Sequence, residues 1–380
     1  MKIKSIKLQN FRSYKNLETS FGDKNIIIGA NTQGKTNLLE AIYLNALGKS
    51  FRSKEQDMVR WEEDFFRIES MVEDGRPQKI EYIYEKNIGK GGRKTVKING
   101  VKKPSSHLLK SFSCVFFTPD EIDMFFSFPS ARRRYQNILL SKTEKEYARE
   151  LVKYSRTLEQ RNAQLKIVAR GSADEKNLEL WDGRLAEHGA EIINKRKKLV
   201  EKVNKTLSSN YTKVSGENKK MTIRYEPSIN LPLVIPAKAG NHKSLTKDEI
   251  WAEFLAKLLE SRRKDILSGS TNVGPHRDDL KVYLDDKNIT TFGSRGEHRS
   301  AIIALKLSEI DIIKAVTGEK PVLLMDDIFS ELDEKRRGNL VEAFEGQQTI
   351  VTTTDLDHIN KSLRKGAMIY EAKDGGLKAI

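Results

Sequence analysis

The sequence predicts an α/β fold whose strand–helix core is interrupted by an inserted lobe built on an antiparallel helical hairpin. Three observations predict it. The glycine-bearing turn Gly29–Thr36 follows a buried-type strand, Lys24–Gly29, and opens an amphipathic helix, Gly34–Leu47. A second apolar strand, Pro321–Met325, ends in the paired acids Asp326 and Asp327. Between them, Lys142–Leu207 repeats apolar residues at spacings of three, four and seven, which is a helical pattern. With 380 residues the chain exceeds one simple core, so two packed units are expected. The expected division is a split head over 1–110 and 270–380 and an inserted helical lobe over 111–269.

Met1–Phe21 alternates in two short segments, Ile3–Leu8 and Leu17–Phe21, and reads as a strand pair. The helix Gly34–Leu47 places Leu38, Leu39, Ile42, Tyr43 and Leu47 on its apolar side. Arg67–Val101 alternates as a meander, with turns at Asp74–Gly75 and Gly89–Gly92. In the insert, Tyr147, Leu151, Tyr154, Leu158, Leu165 and Val168 mark one helix. Leu178, Trp181, Leu185, His188, Ile192, Leu199 and Val203 mark its return after the break Gly171–Asp174. His188 lies in that seam and reads as a satisfied seam histidine. From Asn204 to Asp248, Pro227, Pro232 and Pro236 with Gly216 and Gly240 argue against long helices. Glu249–Ile266 is helical again, and strand–helix alternation from Gly269 onward ends in the strand Thr349–Thr353.

Composition bounds the function. No apolar run approaches the ~18 residues of a membrane helix. The amino terminus lacks the apolar core of a signal peptide. The lone Cys114 permits no intrachain disulfide or cysteine metal site, reads as a buried inert thiol and fits a reducing cytoplasm. The formal charge is +15. Without a basic amphipathic segment carrying bulky apolar anchors, that excess points to nucleic acid ahead of an anionic membrane.

Gly29-Ala30-Asn31-Thr32-Gln33-Gly34-Lys35-Thr36 fits the phosphate-loop pattern G-x-x-x-x-G-K-[ST] in its required strand–loop–helix setting. Its amides and the helix start would face phosphate oxygens, Lys35 the outer phosphates, and Thr36 a Mg²⁺ ion. Asp326 is the expected metal-side acid. Asp327 is the expected base or water-orienting acid. A helix cap following a strand is the plainer reading of that pair. Lys35 and Asp326 are 291 positions apart, so something large is inserted between the two halves of one site.

The sequence resembles the RecF family. The resemblance rests on Asn10-Phe11-Arg12, the phosphate loop with Asn37-Leu38-Leu39-Glu40-Ala41, Ser50-Phe51-Arg52 and Phe117-Thr118-Pro119-Asp120. It extends through Pro129 with Arg132-Arg133-Arg134, Gly274-Pro275-His276-Arg277-Asp278-Asp279, Ser330-Glu331-Leu332-Asp333 and Thr352-Thr353-Thr354-Asp355. These motifs stand in the family's order over nearly the whole chain. The resemblance implies an ABC-type ATPase head, with Arg12 and Asn37 among the ATP-binding residues. It implies two heads closing on ATP, each nucleotide lying between the phosphate loop of one copy and the signature loop of the other. That loop would be Gly293-Ser294-Arg295-Gly296-Glu297-His298-Arg299, ahead of a helix over Glu297–Ala315, with Ser294 and Gly296 meeting the γ-phosphate.

The sequence departs from the family at several places. Arg295, Glu297 and His298 replace three glutamines, Thr32 stands where Ala or Gly is more usual, and Gln136-Asn137 replaces Leu-Asp. Arg295 would strengthen a phosphate contact and Glu297 would weaken it by repulsion. Thr354 occupies the position of the switch histidine of transporters, as is usual in the family, which implies slow hydrolysis.

The expected activity is a weak, DNA-stimulated ATPase acting as an ATP-gated homodimeric clamp on gapped or duplex DNA in recombinational repair and fork maintenance. RecR and RecO are partners by resemblance. Candidate DNA contacts are Arg132, Arg133 and Arg134, which alternatively cap helices or pair with acids. The run Lys195–Lys198 is another candidate, alternatively a solvated helix face. Two other readings stand beside this one. An ATPase subunit of a membrane transporter would need a permease partner. An SMC-like linker would need more than a hairpin arm of about 45 Å.

Overall fold

The computed structural model describes residues 1–87, 91–229, 231 and 245–380. The turn expected at Gly89–Gly92 falls partly outside them, and Pro232, Pro236 and Gly240 fall wholly outside. The described chain forms two compact units. One comprises Met1–Ile122, Lys213–Glu217 and Glu309–Ile380. The other comprises Asp123–Thr212 and Asn218–Ser308.

The first unit holds two six-stranded sheets. One is antiparallel, in the order Tyr14–Ser20, Lys2–Phe11, Phe65–Asp74, Arg76–Glu85, Arg93–Ile98, Val101–Lys103. The other runs Gly376–Ala379, Met368–Lys373, Lys24–Ile28, Thr349–Thr353, Val322–Asp326, Cys114–Phe117, parallel except for its first strand. The helix Lys35–Leu47 packs with residues of both sheets in one apolar cluster. Its sequence is apolar around most of the circumference, which suits a helix buried on more than one side. Leu38 through Ala46 are accordingly all buried, not only the predicted stripe.

The second unit contains the hairpin Tyr147–Ala169 and Glu179–Asn204, joined through residues 170–178. Tyr154, Leu165, Leu185, Ile192, Leu199 and Val203 are buried along it. The helix Lys247–Ser268 packs on both arms, so the hairpin is the core of a three-helix layer. It starts with a capping box between Thr246 and Glu249 and ends on Gly269 at φ 61. A three-stranded sheet in the order Lys287–Asn288, Asp279–Leu284, Met221–Glu226 completes the unit.

The boundaries differ from 110/111 and 269/270 because strand pairing carries the chain across them. Cys114–Phe117 pairs in parallel with Val322–Asp326 and so belongs to the first unit. Asp279–Leu284 pairs antiparallel with Met221–Glu226 and so belongs to the second. The chain also continues past Thr353 into two further strands, whose short alternating runs are interleaved with Lys, Asp and Gly. Cys114 is buried and in no disulfide, as expected. Among the described residues no helix is long and apolar enough to cross a membrane.

Candidate nucleotide site and its surroundings

The strand Lys24–Ile28 and the strand Val322–Asp326 flank Thr349–Thr353 in parallel register. Their C-terminal ends therefore open at the same edge, where ligands of parallel α/β sheets bind. Gly34 sits at φ 97, and a Cβ there would meet Ser13 Oγ at 2.7 Å and Tyr14 Oη at 3.0 Å. A Cβ on Gly29 would meet the Ala372 carbonyl at 2.5 Å. Both loop glycines are thus required by their surroundings. Asn31 and Thr32 are exposed at the loop's tip, and Thr32 holds φ 70, an uncommon conformation for a β-branched residue. Gln33 Oε1 accepts from the Asp374 amide at 2.8 Å.

Lys35 is buried, and its Nζ donates to the carbonyls of Gly29 (2.5 Å) and Ala30 (2.9 Å). Burial lowers its pKa, opposed by the charges of Asp327 and Asp326. Thr36 Oγ1 donates to Asp326 Oδ1 at 3.0 Å, and Thr352 Oγ1 donates to the same oxygen at 2.7 Å. Residues 290 positions apart are therefore in direct contact. The hydroxyl and carboxylate form a hard oxygen pair that fits Mg²⁺. Asp327 follows at φ 49, its amide bonded to Thr352. Its Oδ1 is buried without a hydrogen-bond partner among the described residues. Burial raises the Asp327 pKa. Lys35 opposes this, Asp326 adds to it, and His358 also opposes it.

Residues 2–376 match the family model described as the RecF/RecN/SMC N terminal domain. A DNA replication and repair protein RecF from Agathobacter rectalis is 37% identical, the match covering 100% of this chain and 99% of that protein. The RecF of Bacillus cytotoxicus is 35% identical, covering 99% and 98%. The chain belongs to the RecF family. A solved structure of the recombination mediator protein RecF with ATP, in the RecFOR pathway, is similar with a TM-score of 0.88 at 35% identity. It covers 100% of this chain and 97% of that one. An Smc head domain from Pyrococcus furiosus, 16% identical with a TM-score of 0.51, shares the fold.

Within this RecF-family chain, Arg12 is a scaffold for the phosphate-loop helix. Its Nε and Nη2 donate to Glu40 at 3.0 Å each, and its Nη1 donates to the Asp57 carbonyl at 2.7 Å. Glu40 has a fully buried side chain and also accepts from Arg52 (2.8 Å), Ser50 (2.6 Å) and Ser53 (3.1 Å). Burial would raise its pKa, yet these donors hold it below the usual carboxylate range. These bonds add a structural role to the one expected of Arg12 toward ATP. Asn37 bridges Ser13 Oγ (2.9 Å) and Arg52 (2.6 Å) beside the loop. Sequence reasoning quoted Glu40 and Thr352 only as family matches and gave neither a role. The lone carboxylate of a largely apolar helix was the available signal for Glu40.

In the second unit, Ser294 and Arg295 are exposed at the start of the helix Arg295–Thr317, with Gly296 half-buried in its first turn. His298 does not face solvent chemistry. Its ring stacks on Phe126 with centroids 3.8 Å apart, and its Nε2 donates to the Ile289 carbonyl at 2.7 Å.

The arginine cluster divides. Arg132 is buried, bidentate on Asp279 at 2.7 and 2.9 Å, and donates to the carbonyls of Phe125 and Phe126. It is unavailable to DNA, which corrects that assignment in favour of pairing with an acid. Arg133 is half-buried and donates to the Asp278 carbonyl at 2.9 Å. Arg134 is exposed.

The run Lys195–Lys198 is likewise no solvated face. Arg196 is buried on the Pro275 carbonyl (2.6 Å) and Asn137 (3.0 Å), Lys197 is buried, and Lys195 pairs with Glu144 at 2.9 Å. Only Lys198 is exposed. Arg196 is inside because the segment Gly274–Asp279 places an acid beside it. Asp278 accepts from Ser228 and Tyr225 beside Arg196. His188, as expected of a seam residue, bonds Glu150 at 2.9 Å.

Proposed function

We propose that this chain is an ATP-gated, homodimeric DNA-binding protein of recombinational repair and replication-fork maintenance, with slow ATP hydrolysis. The observation that carries the reading is the contact of Thr36 with Asp326, which joins the two motifs of one phosphoryl-transfer site, with Lys35 seated in the loop beside them. In that reading Lys35 and the loop amides of residues 29–36 grip the β- and γ-phosphates. Thr36 and Asp326 would hold Mg²⁺, which neutralises phosphate charge when bound. Asp327, with its unpartnered buried oxygen, orients the attacking water. Thr354 in place of a histidine keeps turnover slow.

Ser294 and the Gly296 amide of one copy complete the pocket of the other, so triphosphate closes two heads and the closed pair binds duplex or gapped DNA through phosphates. A cytoplasmic location and action with RecR and RecO accord with this role. Sizing the purified protein with ATP, with ADP, and as Ser294→Arg tests it. A dimer is expected with ATP only, and none in the variant. A monomer under ATP, or a dimer indifferent to nucleotide, would overturn the reading.

A further inference from the structure

The antiparallel sheet of the first unit ends on the edge strand Val101–Lys103, and the chain around that edge carries no acid. Residues 86–119 contain eight Lys or Arg and no Asp or Glu, more than half of the formal excess of +15. The register fixes where part of that charge points. Ile80, Tyr82 and Val96 are buried on the core face. Strand alternation therefore puts Glu81, Lys97 and the cross-strand partner Lys102 on the outer face.

Across the rest of that face, charges are matched strand by strand. Lys7 pairs with Glu18 at 2.8 Å, Arg67 with Glu69 at 2.7 Å and Glu81 at 2.5 Å, and Lys79 with Glu69 at 2.6 Å. In register Lys97 stands opposite Glu81 and Arg93 opposite Glu85, but among the described residues neither cation forms an ion pair with that acid. On its other side Lys97 directly opposes Lys102, an arrangement that destabilises a sheet in isolation. Among the described residues, Arg93, Lys97, Lys102 and Lys103 have no carboxylate within ion-pair range, whereas Lys94 reaches Glu55 at 3.0 Å. Lysines on an edge strand also guard against edge-to-edge aggregation. That accounts for Lys102 and Lys103, and the opposing acids for part of Arg93 and Lys97, but not for the absence of every acid over 86–119.

We propose that this edge binds the phosphate backbone of duplex DNA through Arg93, Lys97 and Lys102. The inference rests on the DNA-binding reading above and gives it a surface that the arginines of 132–134 do not supply. A duplex is favoured over a single strand because the two strands at this edge, Arg93–Ile98 and Val101–Lys103, carry no aromatic residue to stack on bases, and Tyr82 and Tyr84 are buried on the opposite face.

The test compares short-duplex affinity across a salt titration, with ATP and Mg²⁺, for the wild type, Lys97→Gln/Lys102→Gln and Lys4→Gln/Lys7→Gln. The last variant removes equal charge from ion-paired positions of the same sheet. Losing two phosphate contacts should weaken binding about tenfold or more and flatten the log K against log salt slope by about 2. The Lys4/Lys7 variant should stay near wild type, and all three should bind ATP equally. Equal losses in both variants, or none in either, would overturn the assignment. So would anionic phosphatidylserine vesicles whose binding depends on Lys97 and Lys102 while DNA binding does not. If the edge variant fails to fold, Arg93→Gln/Lys102→Gln replaces it with the same expectation. A wild type without ATP-dependent DNA binding sinks the underlying reading. A wild type with it, and an unchanged edge variant, sinks the edge alone.

Discussion

The Glu297 carboxylate accepts two hydrogen bonds from Ser294, from its amide at 2.9 Å and its hydroxyl at 3.0 Å, while the Glu297 amide donates back to Ser294 Oγ at 3.2 Å. This is a capping box at the start of the helix Arg295–Thr317. The Ser294 amide leads the causes that hold the Glu297 carboxyl below the usual range. A fixed negative charge thus sits on the serine assigned to a γ-phosphate. Glu297→Gln keeps the box and removes the charge. Relief of about 1 kcal/mol should lower the ATP concentration for half-maximal dimerisation roughly fivefold. Sizing against an ATP titration measures this, and an unchanged or higher midpoint contradicts it.

Arg132 and Arg134 should separate by kind of effect. Arg132→Ala removes the bidentate partner of Asp279 and leaves the carbonyls of Phe125 and Phe126 unbonded by it. A loss of about 3 kcal/mol of stability is expected, since breaking a buried pair exposes the cost of the charge left behind. Arg134→Ala should leave the denaturation midpoint within about 0.5 kcal/mol of wild type. Urea unfolding checks both, and an Arg132→Ala protein of wild-type stability would show that the pair is not structural.

Gln136 is buried with neither amide atom hydrogen-bonded among the described residues. Leucine, the usual residue of the family there, removes two unsatisfied groups at similar volume. Gln136→Leu should stabilise the protein by about 1–2 kcal/mol. A lower unfolding midpoint in the variant would point to a partner for the amide.

His276 should make stability fall on mild acidification. Its Nε2 donates to the Thr271 carbonyl at 3.0 Å, and its Nδ1 lies 2.7 Å from Tyr154 Oη, which donates to it when the ring is neutral. Burial pulls its pKa down to about 4. The Thr271 carbonyl and Asp265 oppose that shift, and Arg277 and Arg133 reinforce it. Between the unfolded value near 6.5 and 4, only the unfolded chain takes up this proton. Its contribution is therefore complete above about pH 6.5, and about 2 kcal/mol of it is lost by pH 5. Unfolding free energies at pH 7 and pH 5, compared with His276→Gln, isolate it. Parallel pH slopes in the two proteins would contradict the assignment.

The phosphate loop and the acid-terminated strand were legible because their chemistry is local. Glycines, one lysine and an apolar run bounded by charge determine both, and the 291-residue gap correctly implied an insert. What could not be read was the fate of individual cations. Arg132 and Arg196 carry the same formal charge as Arg134 and Lys198, yet they are buried because Asp278 and Asp279 lie far along the chain, brought near only by tertiary packing. The pairing of Arg12 with Glu40, 28 positions away, was hidden for the same reason. The unit boundaries depended on pairings such as Cys114–Phe117 with Val322–Asp326, which no local pattern encodes.

Duplex DNA affinity measured with ATP, with ADP, and with ATP on Lys35→Ala tests the account most directly. Tight, salt-sensitive binding is expected only for the wild type with ATP. Equal affinity in all three conditions would contradict nucleotide gating and leave the contact of Thr36 with Asp326 without the role assigned to it.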